Sequence, residues 1–247
     1  YTCAIDGHSE LYCFGQDFQN RVSFTPGEIS AEPNWQAVVC GPNHLCARNL
    51  RDEIWCTGEE EGFPGGSGGS LVALVFVQIS ADSISLGLSH SCVVNSTGEL
   101  WCYGSNFFGQ IKDTQTQAFP VGVQVEPQRT WRSVAAGLFH TCAIDSQNAL
   151  FCFGNAEMGQ IPTLNENRVG LTEINVPPLQ SVQTYLATTC GLTLNDELIC
   201  YGDNSFGQLA TGQVRNLYGS VQVALNAPGE GDAKSIAAGS SHTCVTT

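Results

Sequence analysis

Ten of the twelve cysteines form pairs with one spacing, in which nine residues separate the two members. On neighbouring antiparallel strands joined by a short turn, this spacing can place the two members opposite each other, with Cβ atoms about 4.5–5.5 Å apart, near the separation that a disulfide needs. A zinc knuckle would need ligands two to four residues apart, and that spacing is absent. The spacing therefore predicts five hairpin disulfides: Cys3/Cys13, Cys46/Cys56, Cys92/Cys102, Cys142/Cys152 and Cys190/Cys200.

Two further cysteines, Cys40 and Cys244, stand outside this spacing, and the sequence assigns them no partner. Twelve cysteines in 247 residues are many for a protein of the reducing cytosol. The sequence therefore predicts an extracellular protein, either secreted or displayed at the cell surface.

A second regular feature is a histidine two residues before several of the first-position cysteines. A metal ring or a catalytic group would need it in every repeat, but Tyr1 and Thr188 occupy this slot before Cys3 and Cys190. One histidine per repeat at a fixed position is typical of a hydrogen-bonding residue that staples a turn. We therefore predict a structural role for the histidines, and no metal site, catalytic group or cofactor. The set consists of His44, His90, His140 and His242.

Short catalytic and phosphate-binding motifs are absent, including the Gly-x-Ser-x-Gly elbow, the Walker loop and His-Glu-x-x-His. The sequence contains one N-glycosylation sequon, Asn95-Ser96-Thr97, in a predicted hairpin turn where a glycan could be tolerated. The sequence therefore predicts glycosylation at Asn95 and no enzymatic activity.

The elements that carry these residues are repeated. First-position cysteines at 3, 46, 92, 142, 190 and 244 define a period of about 48 residues. One recurring block ends in Gly-x-x-His-x-Cys, and it is clearest at 83–92, 133–142 and 235–244. A second block begins at the next cysteine and runs through Gly-Gln, at 102–111, 152–161 and 200–209.

The residue pattern of each repeat predicts four short β-strands, because apolar, β-branched and aromatic stretches alternate with polar turns and no helical period is present. Four-stranded units with this period are typical of a β-propeller. The predicted fold class is therefore all-β, a propeller of four-stranded blades. Six repeats are recognisable, the first and last partial, in a six- or seven-bladed ring.

These two blocks resemble the repeats of the regulator of chromosome condensation superfamily, whose members form seven-bladed β-propellers with about 50 residues per blade. The resemblance covers nearly the whole chain and is weakest between Thr57 and Gln78, where Gly-Gln is missing. It implies a fold more than a function, since the superfamily includes exchange factors, inhibitors of β-lactamase and receptor ectodomains. The disulfide-bearing extracellular members that the chain resembles include the crinkly-type receptor kinases.

The charge of the chain limits its partners. Nine basic residues against 23 acidic ones leave a net charge of −14, which would repel the phosphate backbone of nucleic acids. No apolar run approaches the ~20 residues that span a bilayer, since the longest run, Leu71 to Val77, has seven. The predicted partner is a protein or a glycan, with neither nucleic acid nor a membrane span.

We expect residues 1–247 to form one propeller domain, within which 59–70 is a flexible, glycine-rich surface loop. The chain begins and ends inside repeats, so we expect the ring to be completed by segments outside this sequence or by self-assembly, with Cys40 and Cys244 available for links. The alternatives are that the ends are simply cut and Cys40 is a buried free thiol, or that Cys40 and Cys244 bond directly within one chain.

The expected function is that of a non-catalytic binding or structural module. The alternatives are a secreted inhibitor of the β-lactamase-inhibitor type, a nucleotide exchange factor, and an enzyme such as a propeller lyase. Aromatic residues clustered on one loop face would favour the inhibitor.

Overall fold

The computed structural model describes residues 2–16, 22–28, 34–58, 72–74, 83–112, 115–162, 168–223, 233–239 and 242–246. These residues form β-strands, turns and loops, without any helix, and confirm the predicted all-β class. The predicted loop at 59–70 lies outside the described residues. The strands are β1 (Thr2–Ile5), β2 (Leu11–Gln16), β3 (Val22–Glu28), β4 (Trp35–Cys40), β5 (His44–Asn49), β6 (Ile54–Gly58), β7 (Val72–Leu74), β8 (Ser83–Leu86), β9 (His90–Val94), β10 (Leu100–Ser105), β11 (Ala118–Val125), β12 (Trp131–Ala136), β13 (His140–Asp145), β14 (Leu150–Asn155), β15 (Arg168–Ile174), β16 (Leu179–Tyr185), β17 (Thr188–Thr193), β18 (Leu198–Gly202), β19 (Leu217–Val223), β20 (Ser235–Ala238) and β21 (Thr243–Thr246).

The strands pair into antiparallel sheets in chain order, so that each sequence repeat is one blade. Four sheets have four strands each: β4–β7, β8–β11, β12–β15 and β16–β19. Within the described residues, β1–β3 form a three-stranded sheet and β20–β21 a two-stranded one. The predicted four-stranded blade is therefore confirmed.

The cysteine spacing sets the register of the central hairpin in five sheets. In each of these hairpins the two cysteines lie directly opposite each other. Their Cα atoms are 4.1 or 4.2 Å apart and their sulfur atoms are bonded. The five bridges are those that the spacing predicts: Cys3–Cys13, Cys46–Cys56, Cys92–Cys102, Cys142–Cys152 and Cys190–Cys200. The first is half-buried, and the other four are buried.

A β-bulge follows the second cysteine of four blades, where the ladder to the outer strand shifts register. The shift occurs at a glycine with positive φ, such as Gly154 at +111°. A Cβ atom at this position would lie 2.6 Å from the carbonyl oxygen of Phe139, so glycine is required both for conformation and for space. The bulge bends the chain from the strand into the Gly-Gln loop.

The apolar core lies between neighbouring blades, and each buried disulfide forms part of it. The residue after the second cysteine is aromatic in four blades. Phe14 in the first sheet is 38% exposed, whereas in the other three blades the ring packs on the bridge of the preceding blade. Tyr103 packs against Cys46–Cys56, Phe153 against Cys92–Cys102, and Tyr201 against Cys142–Cys152. The bridge thus supplies apolar contact area to the next blade, in addition to its covalent link.

The fourth buried bridge, Cys190–Cys200, has a different neighbour. Its two cysteines belong to an apolar cluster that includes Ala233 and Ile236, at the start of the two-stranded sheet. Here an aliphatic side chain of the next sheet takes the place of the aromatic ring. The bridge nevertheless lies between consecutive sheets, as the other three do.

Candidate functional site

The Gly-x-x-His segment is a tight turn between the first two strands of a blade. The amide of Gly137 donates to the carbonyl of His140 over 2.9 Å, and Gly87 does the same to His90 over 2.8 Å. Each imidazole ring lies where the Cβ of its own turn glycine would be. Only glycine leaves room for the ring, which explains why these two residue types recur together.

The side chain of each buried histidine reaches into the next blade. Nε2 of His44 lies 2.6 Å from the hydroxyl of Ser91, and the pairs His90–Thr141 and His140–Thr189 are each 2.9 Å apart. The sequence predicted a staple within one turn, whereas the structure places the partner hydroxyl of these three histidines in the following blade. The histidines therefore hold consecutive blades together.

The hydroxyl groups determine which ring nitrogen carries the proton. Thr141 donates its hydroxyl proton to the carbonyl of Gln110 over 2.7 Å, and Thr189 donates to Gln160 over 2.9 Å. Each threonine oxygen can then only accept from the histidine, so we assign the Nε2–H tautomer to His90 and His140. In both cases a chain of hydrogen bonds leads from the imidazole through the threonine hydroxyl to a backbone carbonyl of a Gly-Gln loop.

Burial holds these imidazoles neutral. It lowers the pKa of His44 to about 4 and the pKa of His90 and His140 to about 3. Each has a hydroxyl as its inter-blade partner, and the described residues contain no group of three potential metal ligands. The geometry is that of inter-blade hydrogen bonding. His242 differs from the other three because it is exposed. Its turn is nevertheless kept, since the amide of Gly239 donates to the carbonyl of His242.

The Gly-Gln loops are braced from within. The glutamine side chain accepts the amide of the residue two positions earlier, as Gln110 does from Phe108 and Gln160 from Met158, both over 2.8 Å. The carboxamide of Asn106 accepts two amides and donates to two carbonyls across its loop. These bonds order the loops without using the side chains at their tips.

Apolar side chains project from these loop tips. We call the end of the sheets formed by the Gly-x-x-His turns and the loops at 106–112, 156–161 and 203–216 the loop face. On it Phe107 is 62%, Met158 45% and Phe206 73% exposed. The loop face thus carries a strongly exposed apolar side chain in each of three consecutive blades.

Three phenylalanines form a continuous row on the loop face, which we call the aromatic row. The ring centroid of Phe107 is 5.2 Å from that of Phe108, which lies 4.6 Å from that of Phe139 in the next blade. These separations are within the range of favourable aromatic contacts. Phe108 and Phe139 are half-buried, so they support the exposed ring of Phe107.

The opposite end of the blades is formed by the hairpin turns, and Asn95 lies there. It is 8% exposed, and its Oδ1 accepts the amides of Thr97 and Glu99 while its Nδ2 donates to the Glu99 carboxylate over 2.7 Å. Asn49 occupies the same position in its blade and makes the same bonds to Glu53. The residue therefore has a role in capping the turn. Glycosylation of Asn95 stays a prediction, and a glycan would take the place of one of the two hydrogens on Nδ2, the atom that donates to Glu99.

The remaining two cysteines are exposed free thiols, Cys40 at the end of β4 and Cys244 within β21, so the structure contains neither a Cys40–Cys244 bond nor a buried Cys40. Among the described residues no helix is long and apolar enough to cross a membrane.

Comparison with known proteins is consistent with this architecture. The family model of the regulator of chromosome condensation (RCC1) repeat matches residues 81–110 and 131–160, each from the start of a blade to its Gly-Gln loop. These two segments are similar to the RCC1 repeat and together make up 60 of the 247 residues. No curated protein sequence matched the chain.

Solved structures align with most of the chain. Human WBSCR16 aligns with a TM-score of 0.84 and 16% identity, over 98% of this chain and 68% of that one. Prp20p of Saccharomyces cerevisiae aligns with a TM-score of 0.79 and 15% identity, over 94% and 63%. The ectodomain of the Physcomitrella patens receptor kinase CR4 gives 0.56 and 20% identity, over 82% and 49%. The likeness establishes an RCC1-like β-propeller fold, and the chain spans about two thirds of the first two proteins.

Sequence reasoning missed the aromatic row and the exposed loop tips. One signal was present, since Phe108, Met158 and Phe206 all stand directly before Gly-Gln. Their repetition at one position predicts a shared orientation, which the structure shows for Met158 and Phe206 only, since Phe108 is half-buried and Phe107 is the exposed residue of its loop. The contact between Phe108 and Phe139 was not readable, because these residues are 31 positions apart and belong to different blades.

Proposed function

We propose that this RCC1-repeat propeller is a non-catalytic, extracellular module that binds another protein through its loop face. The observation that carries the proposal is the exposure of Phe107, Met158 and Phe206 on braced loops of three consecutive blades. Protein interfaces are enriched in aromatic residues and methionine, and a few well-supported aromatic side chains dominate their binding energy.

The extracellular location is supported by the cysteine chemistry. Five bonded pairs, four of them in the core between blades, fit a protein that folds in an oxidising compartment. The CR4 ectodomain is an example of this kind of propeller in a receptor kinase ectodomain. A similar propeller is also known to bind proteins, since Prp20p binds Gsp1p and histones.

Protein binding is supported by the rigidity of the loops. Because glutamine and asparagine side chains order the backbone in the free protein, little conformational entropy is lost when a partner docks on the tips. Two contacts from the next blade support the loop that carries Met158. Asn216 donates to the sulfur of Met158 over 3.5 Å. The hydroxyl of Tyr218, which is 52% exposed, donates to the carbonyl of Glu157 over 3.4 Å.

The test is a binding screen of the native, oxidised protein against a panel of purified extracellular ectodomains and a glycan array. The loop-face variant is Phe107→Ser/Phe206→Ser. Its matched control is Leu50→Ser/Leu194→Ser, which removes two exposed leucines from the hairpin-turn end. We expect an ectodomain that binds the wild type and the control but not the loop-face variant. Binding of glycans alone, or binding that both variants keep, would contradict the proposal.

A second candidate function is inhibition of an enzyme by the same face, because the aromatic row is the clustered feature that an inhibitor of the β-lactamase-inhibitor type would present. A β-lactamase activity assay with the wild type and the loop-face variant tests it directly. Inhibition by the wild type that is lost in the loop-face variant would favour this function. The absence of inhibition would leave the general binding role as the better explanation.

A further inference from the structure

We infer that the partner of the loop face is a cationic polypeptide that seats an apolar or basic side chain on the aromatic row. This inference rests on the proposed function and deepens it by naming the chemistry of the partner. It follows from two independent features of the chain, the geometry of the row and the imbalance of charge.

The aromatic row offers an anchor that is already assembled in the free protein. Phe107 is 62% exposed, and its ring packs edge-on against that of Phe108 with an interplanar angle of 76°. The ring of Phe108 in turn packs on that of Phe139 with an interplanar angle of 42°. The exposed ring can bury an aliphatic side chain, and its π face can also hold a lysine or arginine cation within about 6 Å. Both contacts are available to the mixed basic and apolar surface of one polypeptide.

The charge of the protein selects between possible partners. The net charge is −14, with 23 acidic residues against nine basic ones. Three arginines are engaged internally: Arg48 with Asp52, Arg129 with Asp145, and Arg132 with the carbonyls of Leu179 and Gln180. Positive charge is therefore scarce and partly neutralised within the fold, so the field around the molecule is negative. Such a field attracts cationic partners and repels anionic ones.

Charge is also present beside the row itself. The amide of Asn155 donates to the carbonyl of Phe139 over 2.8 Å, which joins the row to the loop carrying the exposed Glu157. Lys112, also exposed, ends the loop that carries Phe107 and Phe108. Among the described residues, each of these two loops thus carries one charged side chain, Lys112 on one and Glu157 on the other, so the long-range attraction comes from the rest of the molecule. We therefore expect the row to supply the anchor and the net charge to supply the steering.

The inference is tested with four synthetic peptides of equal length: basic with leucines, basic without apolar residues, neutral with leucines, and acidic with leucines. Fluorescence anisotropy measures their binding to the native protein at low and at physiological salt. We expect the basic peptide with leucines to bind most tightly, and to weaken as salt rises because the attraction is screened. Phe107→Ser should weaken it about tenfold, as expected for a central aromatic anchor. Leu50→Ser, which removes a similarly exposed side chain (59% against 62%) at the hairpin-turn end, should leave the affinity within about twofold.

Several results would overturn the inference. Equal binding of the neutral or acidic peptide would remove the role of charge, and an equal loss in Phe107→Ser and Leu50→Ser would remove the role of the row. Unchanged melting temperatures of both variants exclude misfolding as the cause. If the ectodomain screen finds a loop-face partner whose binding is independent of salt, the inference fails and the proposed function stands. If neither experiment depends on the loop face, both fail.

Discussion

Mild acid should destabilise this RCC1-like propeller, because three histidines are buried between its blades as neutral rings. Burial lowers the pKa of His44 to about 4 and the pKa of His90 and His140 to about 3, from an ordinary value of 6.5. A pKa that is lower in the folded state means that the unfolded chain binds more protons as pH falls. The stabilisation is therefore fully present above pH 6.5 and is lost as pH falls toward the folded-state values.

The size of the effect follows from these values. A pH of about 5 lies about 1.5 units below the pKa of the unfolded imidazole. Each unit corresponds to about 1.4 kcal/mol, so each histidine lowers the free energy of unfolding by about 2 kcal/mol. Three such histidines give about 6 kcal/mol, a large part of the ~5–15 kcal/mol that stabilises a typical domain. The folded protein cannot offset this loss, since the hydroxyl that each ring meets is neutral and can supply no negative charge to an imidazolium.

The assay is urea denaturation of the oxidised protein at several pH values between 7 and about 5. We expect the free energy of unfolding to fall throughout this range for the wild type. His140→Thr copies the residue that the next blade carries at this slot, Thr188, and it should remove about one third of the pH dependence, since it removes one of three titrating groups. A flat profile for the wild type, or an unchanged slope in His140→Thr, would refute the reasoning.

Three further predictions concern the bridges, the bulge and the sequon. Non-reducing peptide mapping should find each of the five spaced pairs joined within its own blade, and links between blades would contradict this prediction. Cys142→Ala/Cys152→Ala should lower the free energy of unfolding by about 2.7 kcal/mol, the chain-entropy value for an eleven-residue loop. Gly154→Ala should destabilise by about 1–3 kcal/mol or more because of its positive φ and crowded Cβ position, whereas Gly7→Ala, with nothing within 4 Å of its Cβ, should be nearly neutral in thermal melts. Protein from a eukaryotic secretory host should lose mass on treatment with an N-glycosidase, and Thr97→Ala, which destroys the sequon but keeps Asn95, should abolish that shift; an unmodified wild type would disprove glycosylation.

Much of the fold was predictable because it depends on local sequence. The recurrence of Gly-x-x-His-x-Cys and Gly-Gln predicts blades, and the structure confirms four-stranded sheets built from consecutive strands. The nine-residue gap between cysteines determines hairpin register, because strands joined by a short turn have few ways to pair. Cys142 opposite Cys152, and Cys190 opposite Cys200, are consequences of chain geometry over eleven residues.

The candidate site was less predictable, because it is assembled from different blades. His90 and Thr141 are 51 residues apart, and Phe108 and Phe139 are separated by 31. The sequence indicated that the histidines bond something, but it could not identify a hydroxyl in the following blade. In the same way it contained the phenylalanines but not their row.

The sequence by itself determined the repeat, the strand pairing within each blade and the acidic character of the chain. Only the tertiary structure decided what faces what between blades: histidine on hydroxyl, aromatic ring on disulfide, and Phe107 supported at the surface by two further rings. The physical reason is that pairing within a blade follows from short loops, whereas contacts between blades depend on how whole sheets pack, and sheet packing is settled by the fit of many side chains at once.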